Sequence, residues 1–419
     1  MENIQTENLG RSPGRLSRTL AKTFQSLRNR NFRLFFIGQT ISNTGNWLTI
    51  VALTLLVLKL THGSGVAIGF LAACQYGPIL LLSAWAGAIA DRSNKHKLLL
   101  WTQSLEMAQS VGLAALAFMP HPPLAGLYVL AFCGGTLLAF DNPLRRSFVS
   151  EMVRREDISN AVVLYSLSVN VSRVFGPSLA GLLVVTLGYG WCFTFDASSY
   201  LVVLLCLILM RAAELYRQPV KAIVKGAVRE GLRYVLSVPV LWISFVMFAV
   251  ISMVTNFNVI LPLFVTGALH STGGIFTVLY SVFSFGAVVS ALIVAHRNLV
   301  GMRHIIRSTL AFGFAMLLLA VVPGVRTAVP AVFLVGMASI LLLTVTTTIV
   351  QVEAKPEMHG RVLALQIVIL GGSLALSGPF LGWIADLFGA RVLMAIGGFT
   401  CLAVAAFGHF TMRRYLNPT

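Results

Sequence analysis

Charged residues are scarce in this chain: Asp, Glu, Lys and Arg make up only 11% of its 419 residues. A soluble domain carries about 25%. Hydrophobic residues reach 57%, and the mean hydropathy is +0.84. Packing in water cannot hide that much apolar surface. The composition therefore excludes an ordinary soluble domain and indicates a protein whose main solvent is lipid.

Sequence motifs for chemistry are also lacking. The five cysteines stand singly in apolar runs, and their spacing fits neither a metal site nor a disulfide motif. Small buried hydrophobes are the interpretation that this pattern favours. The chain has no G-x-x-x-x-G-K-[ST] phosphate loop, no Ser/His/Asp arrangement and no metal-spaced His/Cys cluster. We therefore expect no enzymatic activity, no catalytic residues, no metal and no cofactor.

Long apolar runs are what the chain has in abundance. A helix needs about 20 mostly apolar residues to cross about 30 Å of hydrocarbon. The first run is longer than a signal-peptide core and lacks a cleavage site, so it is interpreted as a retained span. The runs predict an all-α integral membrane protein with twelve transmembrane helices, at about 32–58, 66–90, 98–119, 123–143, 158–187, 190–210, 238–267, 274–295, 304–322, 328–350, 361–386 and 391–412.

Positive charge is unevenly distributed among the connections. If the N-terminus is cytoplasmic, 27 of the 31 Lys and Arg residues lie in tails and connections on the cytoplasmic side. The positive-inside rule requires this asymmetry. The net charge of +17 is therefore a topology signal rather than a sign of nucleic-acid binding, and both termini are expected to be cytoplasmic.

Two landmarks recur at nearly one offset. Gly176–Pro177 in span five and Gly378–Pro379 in span eleven lie 202 residues apart, while ADRSNKHK and AHRNLVGMR lie 205 apart. Parallel repeats of six spans are a recurrent transporter architecture. The predicted organisation is a basic cytoplasmic tail (1–30), a six-helix bundle (31–211), a partly helical cytoplasmic linker (212–237), a second bundle (238–413) and a cytoplasmic tail (414–419).

Three segments resemble a known family. GAIADRSNKHK (Gly87–Lys97) is similar to the signature of the major facilitator superfamily, and Asp141–Gly181 and Glu230–Leu241 resemble its drug-efflux branch, which includes the enterobactin exporter and macrolide efflux proteins. The resemblance covers nearly the whole chain. It implies two pseudo-symmetric six-helix bundles in the bacterial inner membrane, a monomer, and transport by alternating access.

The first segment implies a gate. In the family, the acid that corresponds to Asp91 faces the cytoplasmic start of span eleven and shares a charge cluster with residues that correspond to Lys95 and Asp141. A carboxylate near a helix N-terminus gains about 0.3–1 kcal/mol, so this contact would act as a latch. The alternative is that the charges only mark the inner face. The gating residues implied are Gly87, Asp91, Arg92, Lys95 and Asp141.

Ionisable residues inside spans are costly and therefore functional candidates. Glu106 is either a proton carrier or a polar contact of Gln103 or Gln109. Arg173 and Asp196 have nearly the same predicted depth, at about 1.5 Å per residue, so an ion pair between spans five and six is geometrically possible. We expect Arg173 to have a partner and to line the interface between the halves, and Asp196 is one candidate for that partner. Two alternatives remain for Arg173. It faces the cavity, to attract an anionic substrate or to repel the proton from a neighbouring carboxyl, or it donates to carbonyls freed by Pro177.

Span five also carries GPSLAG, which is similar to the end of a motif of proton-coupled antiporters. Its residues Gly176, Pro177 and Gly181 either belong to such a motif or only allow tight helix packing. Amide side chains in spans one and seven are candidate substrate contacts, although each can equally be an interhelical hydrogen bond. These are Gln39, Asn43, Asn46, Asn256 and Asn258.

The sequence thus predicts a secondary active transporter that exports an amphipathic organic compound, drug-like or siderophore-like, in exchange for protons. Its expected partners are the lipid bilayer, a small-molecule substrate and protons, with no nucleic acid. A proton-coupled importer of a small metabolite and a non-transporting membrane sensor are the alternatives.

Overall fold

The structure is a computed structural model that describes residues 24–216, 227–271, 273–296 and 301–416. Most of the predicted N-terminal tail, residues 1–23, lies outside the described residues, as do residues 417–419. Within the described ranges, all regular secondary structure is helical. The protein is an all-helical membrane protein, as predicted.

The N-terminal half consists of long helices joined by short connections. Capping side chains set several of their starts: Asn29 accepts hydrogen bonds from the N–H groups of Asn31 and Phe32, and Asn94 accepts one from Lys97. Such caps satisfy N–H groups that have no partner within the helix. The helices are α1 (Arg30–Leu60), α2 (Gly65–Arg92), α3 (Lys95–Ala117), α4 (Leu124–Met152), α5 (Ile158–Thr186) and α6 (Tyr189–Ile208).

A short helix, α7 (Ala227–Ser237), precedes the C-terminal half. Arg361 Nη1 lies 2.6 Å from Glu230 Oε1 of α7, and the hydroxyl of Tyr234 accepts a hydrogen bond from the backbone N–H of Lys355 at 3.0 Å. These contacts fix α7 against the C-terminal half. Residues 217–226 of the predicted linker lie outside the described residues.

The C-terminal half begins with a broken helix. The predicted span 238–267 is interrupted at Thr255 and Asn256, where Asn256 Nδ2 donates to Leu374 O (3.0 Å) and Ser377 Oγ (3.2 Å). Interrupted helices persist at membrane depth only where protein surrounds them. The helices are α8 (Pro239–Val254), α9 (Phe257–Leu263, extended by a π-helical turn Phe264–Ala268), α10 (Gly273–His296), α11 (Met302–Val321), α12 (Val325–Glu353), α13 (His359–Phe388) and α14 (Ala390–Leu416).

The predicted spans agree with these helices within a few residues, except in α4. That span was predicted to end at 143, but α4 continues through Pro143 to Met152, because its last turns are polar yet buried. Among the described residues, eleven helical segments are long and apolar enough to cross a membrane. The remaining predicted span, α3, has the length but is more polar in its first half, and it packs against α4 and α6.

We call "inner" the side where α1 begins and α14 ends, and "outer" the opposite side. The two halves meet along α2 with α13 and α5 with α10. At the outer end, Gly65 and Gly69 of α2 face Gly382 and Gly378 of α13, where an added Cβ would collide with the facing carbonyl group. Glycine therefore allows the two backbones to touch.

A carboxylate adds to this outer closure. Asp386 of α13 accepts hydrogen bonds from the backbone N–H groups of Gly65 (2.5 Å) and Val66 (3.0 Å) and from Ser64 Oγ (3.3 Å). On the other pair of helices, Ser178 and Ser281 share a hydrogen bond of 2.7 Å. The structure is thus closed on its outer side.

Candidate functional site

Buried charge is concentrated in the N-terminal half. Among the described residues, every buried charged side chain lies on α3, α4 or α6; these are Lys95, Glu106, Asp141, Arg145, Glu151 and Asp196. A charge at membrane depth costs at least about 2.5–3.5 kcal/mol. Such a concentration of charge therefore indicates a functional site.

Arg145 is the centre of this charge. Its Nη1 donates to Asn43 Oδ1 of α1 at 3.0 Å, and its Nη2 donates to Glu106 Oε2 of α3 at 3.2 Å. Its Nε is in salt-bridge contact with Asp141, one helical turn earlier on α4. One guanidinium therefore joins three helices and lies between two carboxylates.

Neighbouring polar side chains complete the arrangement. Gln103 Nε2 donates to Glu106 Oε2 (2.7 Å) and to Asp141 Oδ1 (2.8 Å), and Thr102 Oγ1 lies 3.2 Å from Asp141 Oδ1. The predicted polar contact between Glu106 and Gln103 is present. We refer to these residues as the charge network: Asn43, Thr102, Gln103, Glu106, Asp141 and Arg145.

Asp196 of α6 is held by hydroxyl groups. Thr49 Oγ1 donates to Asp196 Oδ2 at 2.6 Å and Ser110 Oγ at 2.8 Å. The side chain is 1% exposed, and no salt bridge to it occurs in the described part of the chain. The candidate ion pair between Arg173 and Asp196 is not formed, because Asp196 faces α1 and α3 while Arg173 faces another side of α1.

A cavity of about 60 Å³ connects the two sites, with both Glu106 and Asp196 in its wall. A water molecule needs about 10–15 Å³ of such space, so the cavity has room for several. Its remaining polar wall includes Asn46, Gln75 and Gln109. Glu106 and Asp196 therefore face one cavity within the N-terminal half.

The gating residues do not form the expected cluster. Lys95 Nζ lies 2.5 Å from Glu151 Oε1, whereas Asp141 contacts Arg145. The expected cluster of Lys95 with Asp141 is therefore corrected: Glu151, at the end of α4, is the nearer acid to the start of α3. Arg92 is exposed and Gly87 has no atom near its Cβ direction. The side chain of Asp91 lies outside the described residues, so its latch role stays a prediction.

Arg173 of α5 lies where the halves meet. Its guanidinium carbon is 5.7 Å from the ring centre of Trp47, and the Trp47 ring is 5.9 Å from that of Tyr280 in the other half. Arg173 Nε is buried and has no hydrogen-bond partner among the described residues. The hydrogen bonds to carbonyls that Pro177 frees are not formed. The guanidinium is thus held chiefly by a ring.

Asn258 bridges the two halves through two tyrosine hydroxyls. Its Nδ2 donates to the hydroxyl of Tyr76 on α2 (3.3 Å), and its Oδ1 accepts from the hydroxyl of Tyr280 on α10 (2.8 Å). Phe257 and Phe283 stack nearby, with ring centres 4.4 Å apart. We refer to the aromatic cluster as Trp47, Tyr76, Phe257, Tyr280 and Phe283.

The structure divides the candidate amides into different roles. Asn43 belongs to the charge network, Asn46 lines the cavity and Asn256 bonds α13. Asn258 lies at the junction of the halves. Gln39 is fully buried, and its side-chain atoms have no partner among the described residues. The amides do not form one substrate surface.

The antiporter-like motif lies in helix contacts. A Cβ at Gly176 would collide with Trp47, and one at Gly181 would collide with Thr277 of α10. Pro177 is buried inside a continuous α5. The motif therefore holds α5 close to α1 on one side and to the other half on the other.

Sequence reasoning missed Arg145, Glu151, Tyr76, Tyr280 and Asp386. Arg145 was counted as a cytoplasmic charge, although its spacing of four from Asp141 places both on one helix face. That spacing was the available signal. No local pattern in the sequence distinguishes the two tyrosines from others in apolar runs.

Two curated transporters of siderophores are similar to this chain over nearly its full length. The staphyloferrin A transporter of Staphylococcus aureus (strain NCTC 8325 / PS 47) is 25% identical over 391 residues, covering 91% of this chain and 96% of the relative. The enterobactin exporter EntS of Escherichia coli (strain K12) is 25% identical over 393 residues, covering 90% and 93%.

Solved structures share the fold. A bacterial homologue of the human lysosomal transporter Spinster, solved in an inward-facing and unoccupied conformation, has a TM-score of 0.72 at 17% identity, with 92% of this chain and 98% of that chain covered. The family model described as "transmembrane secretion effector" matches residues 21–417. The chain therefore belongs to the transmembrane secretion effector family of the major facilitator superfamily, whose members are transporters and not enzymes.

Proposed function

We propose that this secondary transporter exports an amphipathic organic compound, drug-like or siderophore-like, in exchange for protons. The observation that carries the proposal is the charge imbalance of the N-terminal half. Glu106, Asp141 and Asp196 are buried carboxyl groups, and Arg145 is the one cation hydrogen-bonded or paired with any of them among the described residues.

This imbalance favours proton binding. If all three carboxyl groups were ionised, the site would carry two uncompensated negative charges. Burying an uncompensated charge is costly, and neutralising the group is the usual solution. One proton would halve the imbalance and two would remove it, and the cavity between Glu106 and Asp196 gives them a route. A site of this kind would bind protons from one side and release them to the other as the halves rock.

The direction and the substrate class rest on the relatives. One is named an exporter of enterobactin and another a transporter of staphyloferrin A. Both match this chain over nearly its full length. We infer the same direction as the exporter, and an organic compound of comparable kind as the substrate.

Accumulation in cells tests this proposal. A strain that lacks the gene should retain one or more compounds from a panel of drugs and siderophores at higher levels than its parent. An uncoupler should remove the difference between the strains. A difference that survives the uncoupler would contradict proton exchange, lower accumulation in the deletion strain would indicate import, and no change for any compound would favour a sensor.

Both termini are proposed to be cytoplasmic, because 27 of the 31 Lys and Arg residues lie on that side in this topology. A single cysteine introduced at Gly63 should react with an impermeant maleimide added to intact cells. One at Arg92 should react only after the cells are opened. The opposite pattern would reverse the topology.

A further inference from the structure

We propose that Arg173 and the aromatic cluster bind the anionic group of the transported compound, which is accordingly an amphipathic organic anion such as an aromatic carboxylate. The inference deepens the proposed function and rests on it, since it assumes an organic substrate. It concerns a site in the aromatic cluster, separate from the charge network.

The position of Arg173 suits a substrate site. It lies fifteen residues into α5, about 22 Å along the helix, and so well inside the membrane. Trp47 of α1 lies against it, and the Trp47 ring is 5.9 Å from the ring of Tyr280 on α10. A ligand bound to Arg173 would therefore touch both halves of the transporter.

Arg173 lacks a counter-charge. In the described ranges, no carboxylate forms a salt bridge or hydrogen bond with its side chain. The acids of the N-terminal spans have other partners: Asp196 accepts from Thr49 and Ser110, and Glu106 and Asp141 contact Arg145. Its Nε is buried without an acceptor, while the side chain as a whole is partly exposed. The guanidinium therefore has a free donor, and the side chain is not fully enclosed by protein.

Charge and shape together define the ligand. A guanidinium presents a planar fork of donors that matches a carboxylate, and a charge at this depth persists only where it has a use. The surroundings are rings: Trp47 stands beside the guanidinium, and the pair Phe257–Phe283 follows across the interface. An anionic head on an apolar or aromatic body fits both parts.

Binding at this site would also affect the conformation of the transporter. Tyr76, Asn258 and Tyr280 form a hydrogen-bonded chain between the halves in this outer-closed state. An anion at Arg173 would compete for the nearby tyrosine hydroxyls, because these are donors. Substrate binding would thereby loosen a contact that holds the outer side closed.

Equilibrium binding to the purified protein in lipid nanodiscs tests the site. The protein has six tryptophans, and replacing all except Trp47 with Phe leaves one fluorophore next to Arg173. The probes are 4-nitrobenzoate and 4-nitrobenzamide, two quenchers of nearly equal shape of which only the first is an anion at neutral pH. Empty nanodiscs correct for partition into lipid. Arg146→Gln is the matched control, since Arg146 is an exposed arginine.

We expect 4-nitrobenzoate to bind about tenfold more tightly than 4-nitrobenzamide, as charge-assisted hydrogen bonds allow. Arg173→Gln should remove this preference and leave the benzamide unchanged, and Arg146→Gln should keep it. Equal affinities in the parent that keeps only Trp47, or a preference that survives Arg173→Gln, would overturn the proposal. The comparison of the two probes on the parent that keeps only Trp47 does not depend on Arg173→Gln, so misfolding of that variant leaves the test decisive.

The measurement separates this inference from the proposed function, because it uses no gradient and no transport. A carboxylate preference that depends on Arg173 supports the site even if uncouplers leave efflux unchanged. Conversely, uncoupler-sensitive efflux with no carboxylate preference would overturn the site and leave proton-coupled export intact.

Discussion

Asp386 accepts a hydrogen bond of 2.5 Å from the backbone N–H of Gly65, across the boundary between the two halves. Gly65 is the first residue of α2, where the helix dipole presents partial positive charge. The carboxylate therefore stabilises contact between the outer ends of α13 and α2. Because the contact forms only when these ends meet, it favours the outer-closed state.

Asp386→Ala should weaken the closed outer side. A carboxylate at a helix N-terminus contributes about 0.3–1 kcal/mol, so the ratio of closed to open molecules should fall about two- to fivefold. Distances between spin labels at Leu187 and Thr327, on the outer ends of opposite halves, would measure this. Arg326→Ala, which removes an exposed outer charge, should leave the distances unchanged. An unaltered distribution for Asp386→Ala would show that the contact does not hold the state.

Arg145→Gln should be strongly destabilising. Removal of one member of a buried ion pair typically costs about 3–5 kcal/mol, and here two carboxylates lose their cation. Thermal unfolding of the purified protein would show a marked decrease in Tm. Arg146→Gln, at the adjacent exposed position, should unfold like the parent. Equal behaviour of the two variants would contradict the central role of Arg145.

The pair Lys95–Glu151 should couple the start of α3 to the end of α4. A double-mutant cycle with Lys95→Met and Glu151→Gln should give a coupling energy of about 0.5–3 kcal/mol, the usual range for residues in contact. Unfolding in denaturant provides the four values. A matching cycle of Lys95→Met with Asp141→Asn should give a smaller coupling energy, because Asp141 contacts Arg145 instead. A larger coupling energy for Lys95 with Asp141 than for Lys95 with Glu151 would support the cluster of Lys95 and Asp141 that the sequence suggested.

Asp196→Asn should leave the stability of the fold nearly unchanged but remove the coupling of transport to protons. An asparagine can still accept from Thr49 or Ser110, so unfolding should change little. If the carboxyl carries a coupling proton, substrate transport in proteoliposomes that contain this variant should no longer respond to an imposed pH gradient. Glu106→Gln should have the same effect on coupling. Normal gradient-driven transport in both variants would remove these two carboxyls from the coupling mechanism.

Asp91→Asn should reduce turnover more than substrate affinity, because the resemblance implies that Asp91 is a latch and not a ligand. Initial rates of efflux across a range of substrate concentrations would distinguish a lower maximal rate from a higher KM. A variant with normal turnover and weakened binding would contradict the latch.

Helix positions were readable from the sequence because apolar runs of about 20 residues are interrupted by charges and turns. The inner end of α4 was not, since hydropathy cannot distinguish a polar residue buried in the bundle from one in water. Arg145 and Arg146 show the difficulty: they are adjacent, yet one is buried and the other exposed. Only the rotation of α4 decides which of them enters the protein.

The sequence identified most of the charged residues of the candidate site, but it did not predict which of them contact each other. Glu106, Asp141, Arg173 and Asp196 were identified because charges inside apolar runs are rare. Depth along a helix gave Arg173 and Asp196 similar levels, but it does not fix the direction in which a side chain points. Asp196 turns towards Thr49 and Ser110, and that direction depends on packing between helices distant in sequence.

The confinement of buried charge to α3, α4 and α6 has a consequence for divergence among relatives. In the described part of the C-terminal half, no buried residue is charged. Replacing a ring or an amide there changes the shape of the aromatic cluster without changing any ionic balance. Comparable substitutions in α3 or α4 would leave a buried charge without its partner. Proteins of this architecture can therefore acquire new cargo through α9 and α10 while they inherit an unaltered set of buried ion pairs in α3 and α4.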